Sequence, residues 1–305
     1  MEPKTMELPG VPERTSHEER AKQESASRPE RLERLRGMVD ELFPGPDRAE
    51  LRAHIVRSFD VPQWGDYHNE GVLMDTHLAA ILDAFDGIER GEFPEGIPEA
   101  DRARMRDVAA RHHDDLRRYA FLHDISKPDL LRMEKLPKEG EKKGEVWEGA
   151  LEEWYAEAGV PEQARKDPAM LSAWLASQGL KGISYYHAGV EMKAAGRTTD
   201  KAKHGEAGKD KLTALGDTGV PPSILDAIAS HEIAYQFEGV KPDAYRKHFD
   251  ALPDETRTLA LLASLTDTMG SWRTDGKPSL RNFRDLLDSK HNAETIAELE
   301  AGVAS

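Results

Sequence analysis

The 305-residue chain has no cysteine. A disulfide framework is therefore excluded, as are thiolate-held zinc and iron-sulfur clusters, and any metal must sit on nitrogen and oxygen. Long apolar runs are missing too. Nothing approaches the roughly 18 residues that a bilayer-spanning helix needs, and the first residues carry no signal-peptide-like stretch. A cytoplasmic protein with no membrane partner is the expectation. Positive charge is outnumbered, 42 Lys and Arg standing against 57 Asp and Glu for a formal net charge of −15. Nucleic-acid backbones are held by clustered Lys and Arg, so this deficit argues against a general nucleic-acid surface while leaving room for a local basic pocket.

At 38% hydrophobic content, a chain of this length can bury one substantial core, which favours a single domain with extensions over two equal domains. Residues 1–28, rich in Pro, Glu, Lys, Arg and Ser, have too little apolar content to fold alone and are expected to form a disordered tail. Helix signals begin near Arg31: Leu32, Leu35, Met38, Val39, Leu42 and Phe43 recur at helical spacing until Pro44-Gly45-Pro46. With a second helix ending near Phe59, residues 29–60 read as helices packing on the core. A third helix runs through Val72, Leu73, Thr76, His77, Ala80, Ile81, Ala84 and Phe85. Pro94, Gly96 and Pro98 mark a loop before a helix from about Glu99 to Leu122.

Residues 134–146 read as a charged loop that opens a helical insertion at about 134–180, whose Trp147, Trp154 and Trp174 are expected to pack it against the domain rather than to bind a ligand. No convincing period-2 run suggests a strand. The fold class is all-α, with the main domain over 61–290 and a C-terminal tail over 291–305.

The segment Phe121-Leu122-His123-Asp124-Ile125-Ser126-Lys127-Pro128 sets an imidazole beside a carboxylate at the end of an apolar helical run, with a lysine three residues on. Adjacent helical residues point about 100° apart, so the pair serves one function only in a pocket completed by other helices. The chain offers further ligands in order: His77, His204, His231 and Asp267. His77 lies on the apolar stripe of its helix and points inward, which by itself suits a hydrogen-bonded core histidine as well as a ligand. Asp267 follows the apolar stretch Leu261-Leu262-Ala263-Ser264-Leu265 and is costly to bury without a metal or basic partner.

The order His77, His123-Asp124, His204, His231, Asp267 resembles that of the HD-domain metal-dependent phosphohydrolases, over roughly residues 60–285. The octamer around His123-Asp124 is similar to the family's His-Asp-Ile-Gly-Lys-Pro form, with Ser126 in place of the glycine. Tyr67-His68-Asn69-Glu70-Gly71 resembles the opening of HD domains attached to tRNA nucleotidyltransferases. His204-Gly205-Glu206-Ala207-Gly208 and Ala227-Ile228 followed by His231-Glu232 resemble the two-helix unit of two-metal members. The resemblance implies a helical bundle with helical insertions. It also implies two divalent ions (Mn, Fe, Co, Ni or Mg), one held by His77, His123, Asp124 and Asp267, the other by Asp124, His204 and His231, with Asp124 as the bridge. His187, in Tyr185-Tyr186-His187, resembles a variant of the third histidine position and competes with His204.

The function so implied is phosphomonoester or phosphodiester hydrolysis by a metal-bridging hydroxide, on a nucleotide or another small phosphorylated metabolite. Asp124 and Lys127 would be the catalytic residues, Lys127 neutralising charge on phosphoryl oxygens. His68, Glu70, His187, Arg273 and Lys277 are candidate substrate contacts. Long nucleic acid is disfavoured by the acidity, with RNA ends and cyclic phosphates left open, and oligomeric state is not read from the sequence. Two other readings stand beside this one. Some HD proteins with the same six ligands hold a mixed-valent di-iron pair and activate O₂, and a metal-stabilised scaffold could use the Trp-containing insertion to bind a protein.

Overall fold

The computed structural model describes residues 17–65, 70–139, 142–194, 197–236, 242–250, 252–271 and 280–303, with backbone alone over 186–203. The fold is mostly α, as the patterning implies. Twelve helices are described: α1 (His17–Leu42), α2 (Ala49–Ser58), α3 (Met74–Glu89), α4 (Glu99–Arg111), α5 (His113–Leu122), α6 (Leu151–Ala158), α7 (Pro168–Ser177), α8 (His204–Ala214), α9 (Pro222–Ser230), α10 (Pro242–Phe249), α11 (Asp254–Gly270) and α12 (Arg281–Val303). None is long and apolar enough to cross a membrane.

Helix α11 is the axis. Every residue from Thr258 to Gly270 is buried, as expected of a helix covered on all sides, and α3, α4 and α9 pack against it. Helix α3 turns Met74, Leu78, Ile81, Leu82 and Phe85 inward. Helix α5 contributes Leu116, Tyr119, Ala120, Phe121 and Leu122 to the same core. The anticipated helix over 99–122 is broken at His112, whose backbone (φ −111, ψ 28) leaves the helical region. Its imidazole lies against Glu255 and Asp115, and His113 lies against Glu89. The break re-aims α5, and both histidines serve as junction pins rather than ligands.

Two further departures concern the ends. Helix α1 begins at His17, so 17–28 is folded rather than a disordered tail, and Pro29 lies inside the helix. Apart from the buried Ala21, what fixes this stretch is polar. Glu24 is buried and its carboxylate accepts from the backbone N–H groups of Val72 and Leu73 and from the Thr76 hydroxyl, satisfying donors left open at the start of α3. Buried Arg28 pairs with Asp75 and Asp60, and Arg31 donates to Asp75 at 2.6 Å. At the other end, the expected tail after 290 continues α12, with Ala293 buried.

The insertion holds a sheet that the patterning missed. Strands β1 (Leu131–Lys135), β2 (Val146–Gly149), β3 (Leu180–Ala194) and β4 (Arg197–Lys203) form an antiparallel sheet in the order β2-β1-β3-β4. Along β1, Leu131 and Met133 are buried while Arg132 and Glu134 are half-buried, the two-residue alternation of a strand with one covered face. Helices α6 and α7 complete the insertion, and α7 packs on α1. The chain leaves β4 directly into α8.

Candidate metal centre

Five elements converge on one point. His77 comes from α3, and His123 and Asp124 from the turn that closes α5, where the His123 and Ile125 N–H groups still bond back to Tyr119 and Leu122. His204 is the first residue of α8, His231 follows the last residue of α9, and Asp267 lies near the end of α11. Helices α8 and α9 can approach this closely because Gly205 lacks a side chain: a Cβ there would meet the Ile228 carbonyl at 2.9 Å and the His231 ring at 3.1 Å.

The four imidazoles share one orientation. Each Nδ1 faces a backbone carbonyl: His77 that of Gly270 at 3.0 Å, His123 that of Ala120 at 2.9 Å, His204 that of Tyr185 at 3.3 Å and His231 that of Ile228 at 2.7 Å. A carbonyl only accepts, so Nδ1 carries the proton and each Nε2 is presented toward the centre, as outer hydrogen bonds orient metal-ligating histidines. The Nε2 atoms meet in pairs, His77 with His123 at 3.4 Å and His204 with His231 at 3.0 Å. Asp124 divides these pairs. Its Oδ2 lies 3.0 Å from His123 Nε2 and 3.7 Å from His77 Nε2, and its Oδ1 lies 3.3 Å from His204 Nε2 and 3.9 Å from His231 Nε2.

Both Asp124 oxygens are buried without a hydrogen bond, Lys127 approaching Oδ2 as an ion pair at 2.8 Å. Buried carboxylate oxygens facing imidazole lone pairs are unfavourable until a cation sits among them. His77, His123 and Asp124 form one group that could hold a metal ion, and Asp124, His204 and His231 form another, each with ligand atoms within 4.8 Å of one another. Asp267 stands beside the first group, its Oδ1 3.3 Å from His77 Nε2 and 3.9 Å from His123 Nε2. This donor set, all imidazole and carboxylate, fits a divalent first-row ion.

The electrostatics agree with the ligand roles. Burial opposes ionisation of Asp124, but His123, Lys127 and His204 outweigh it and hold the carboxyl well below its ordinary range. Asp267 is likewise held down, burial being overcome by the His77 hydrogen bond and by the charges of His231, His77 and His123. Burial and then the Lys127 charge push the His204 imidazole well below its ordinary range, toward the neutral, ligating form. His77 is raised: burial would lower it, yet Asp267 and Glu70 more than compensate. A cation taken up here would have to displace that proton, which would couple its binding to pH.

Lys127 is buried at 3% exposure, its Nζ 2.8 Å from Asp124 Oδ2 and 4.6 Å from the centroid of the Tyr185 ring. Glu70 reaches the outer side of His77, Oε1 to Nδ1 being 3.5 Å. The other candidates fall elsewhere: His68, Arg273 and Lys277 lie outside the described residues, and His187 lies on β3 with its side chain likewise outside them. Sequence reasoning missed several supports. Tyr119 stacks on His123 with centroids 5.3 Å apart, the Ser126 hydroxyl donates to the His204 carbonyl at 2.6 Å, and Glu232 faces His204 Nδ1 at 3.7 Å. Tyr185 offers its carbonyl to His204 and its ring to Lys127. The Glu next to His231 was visible in sequence, but nothing local marked Tyr119 or Tyr185.

A scan against protein-family models matches none, and searches of curated proteins and of solved structures return no match either.

Proposed function

We propose that the chain is an HD-type, metal-dependent phosphohydrolase that acts on a nucleotide or another small phosphorylated metabolite and holds two divalent ions. The observation that carries this reading is the division of one buried carboxylate, Asp124, between two histidine pairs. His77, His123 and Asp267 would hold one ion with Asp124, and His204 and His231 the other. When bound, such ions supply Lewis-acid chemistry: charge stabilisation on phosphoryl oxygens and hydroxide near neutral pH.

The chain's own residues do the rest. The backbone carbonyls of Gly270, Ala120, Tyr185 and Ile228 lock the imidazoles in the ligating tautomer. Lys127, held between Asp124 and the Tyr185 ring, keeps a fixed positive charge where negative charge would gather on the phosphoryl group. Burial of the site, with the Tyr119 ring stacked on His123, lowers the local dielectric, which strengthens that charge.

The test is metal analysis of the purified chain followed by a screen of phosphorylated metabolites with Mn²⁺, Co²⁺, Ni²⁺, Mg²⁺ and Fe²⁺. About two ions per chain with phosphate release supports the reading. The same nitrogen and oxygen donors suit a di-iron pair, so iron with visible absorbance and O₂ consumption, and no phosphate release, would replace it with the oxygenase reading. Metal without turnover of either kind would favour a scaffold.

A further inference from the structure

Away from the metal centre, one face of the sheet and the two helices of the insertion border a half-open cleft of about 190 Å³ walled by Trp147, Trp154 and Trp174. Trp154 and Trp174 meet at 75° with ring centroids 5.5 Å apart, so their planes form two sides of a corner. Trp147 supplies a third side. Its ring lies over Gly149, where a Cβ would come within 2.6 Å of the indole, and its Nε1 donates to Glu157 Oε2 at 2.9 Å. Met133 and Leu180 line the same cleft.

The charges at the rim do not cancel. Lys135 and Glu145 pair with each other at 2.9 Å, which leaves the Glu157 carboxylate held by an indole N–H and not by a cation among the described residues. Indole faces attract cations through their quadrupole, and a neighbouring carboxylate adds to that field. The cleft is smaller than the roughly 300 to 1,000 Å³ of sites that enclose drug-sized ligands, so it suits a compact head group.

We propose that this cleft binds a small organic cation, of the quaternary or methylated ammonium class, with Trp147, Trp154 and Trp174 against its alkyl groups and Glu157 as its counter-ion. The site is separate from the metal centre: Leu180 lines the cleft, while Tyr185 at the centre is five residues on along the same strand, roughly 16 Å away.

Tetramethylammonium and choline titrated into the full-length chain, read by tryptophan fluorescence and calorimetry, test this. Saturable binding is expected, with 3,3-dimethylbutanol, the neutral isostere of choline, binding about tenfold more weakly. Glu157 is exposed, so Glu157→Gln should leave the fold intact by circular dichroism and weaken the cation several-fold while leaving the alcohol unaffected. Trp174→Leu should weaken both. Asp124→Asn, at the other site, should not change cation binding. Absence of saturation by tetramethylammonium, equal affinity for the neutral isostere, unchanged affinity in Glu157→Gln, or tighter binding of adenosine than of choline would each overturn the proposal.

Discussion

The two sides of Asp124 are built alike but not equally. Toward Oδ2, His77 and His123 are fully buried and face a second carboxylate, Asp267. Toward Oδ1, His231 is buried but the His204 side chain keeps 12% of its exposure, and among the described residues Asp124 is the one carboxylate within 4 Å of their Nε2 atoms. The first side therefore sets two carboxylates against two imidazoles, and the second side one. At these separations an added negative charge outweighs any small difference in imidazole geometry, so under the two-ion proposal the Asp267 side would be the tighter cation site and the His204 side the more exchangeable one.

The largest effect is expected where the sides meet. Asp124→Ala should remove metal from both and abolish activity, read by elemental analysis and turnover. If it kept one ion at full affinity, the shared-bridge arrangement would be wrong. Next comes the contrast itself. His204→Ala should lose about one ion per chain and leave the other in place, whereas Asp267→Asn should weaken the tighter ion by about 100-fold or more. Equal losses in calorimetric titration would erase the distinction between the two sides.

Lys127→Ala should retain metal on both sides but slow turnover about 10²-fold or more, by analogy with the removal of a preorganised charge-stabilising donor. Metal loss matching that of Asp124→Ala would assign the lysine to holding the ligand rather than to the reaction.

The smallest effect concerns the helix that carries His77. Burial lifts the Glu24 carboxyl from 4.5 to about 7, against the pull of the Val72 and Leu73 N–H groups. The folded state thus binds this proton more tightly than the unfolded chain does. Its contribution is complete below about pH 4.5 and is lost as pH rises through 7, by at most about 3 kcal/mol. The melting temperature of the parent chain should therefore fall relative to that of Glu24→Gln between pH 5 and 8. Parallel curves would place Glu24 in a solvated setting.

Much of the centre could be read from the sequence, and the reasons are local. His123-Asp124 ends an apolar helix and stands in a distinctive octamer, His77 lies on an apolar stripe, and Asp267 follows an apolar run; His204 and His231, at the ends of α8 and α9, are legible only through their order along the chain. Strands β1 and β2 offer only five and four residues of alternation, while Gly182 and Gly189 interrupt the longer β3 and β4 is largely polar from Arg197 to Lys203, so the sheet was hidden. The break at His112 was hidden because neither Pro nor Gly marks it; the contacts that pin it, His112 with Glu255 and His113 with Glu89, are set by tertiary packing. Residues 17–28 are illegible for a different reason: apart from Ala21 their burial runs through Glu24 and Arg28, and hydrophobic patterning does not register a polar clasp.

That clasp bears on how the protein can be shortened. A hydrophobicity profile would nominate the first thirty or so residues for removal as dispensable. Cutting there would strip Asp75 of Arg28, and with a slightly later cut of Arg31 as well, leaving a buried negative charge two positions from His77 and uncapped amides at the helix start. A trimmed version would be expected to express as a helical protein and yet bind metal poorly, a failure easily blamed on the ligands themselves.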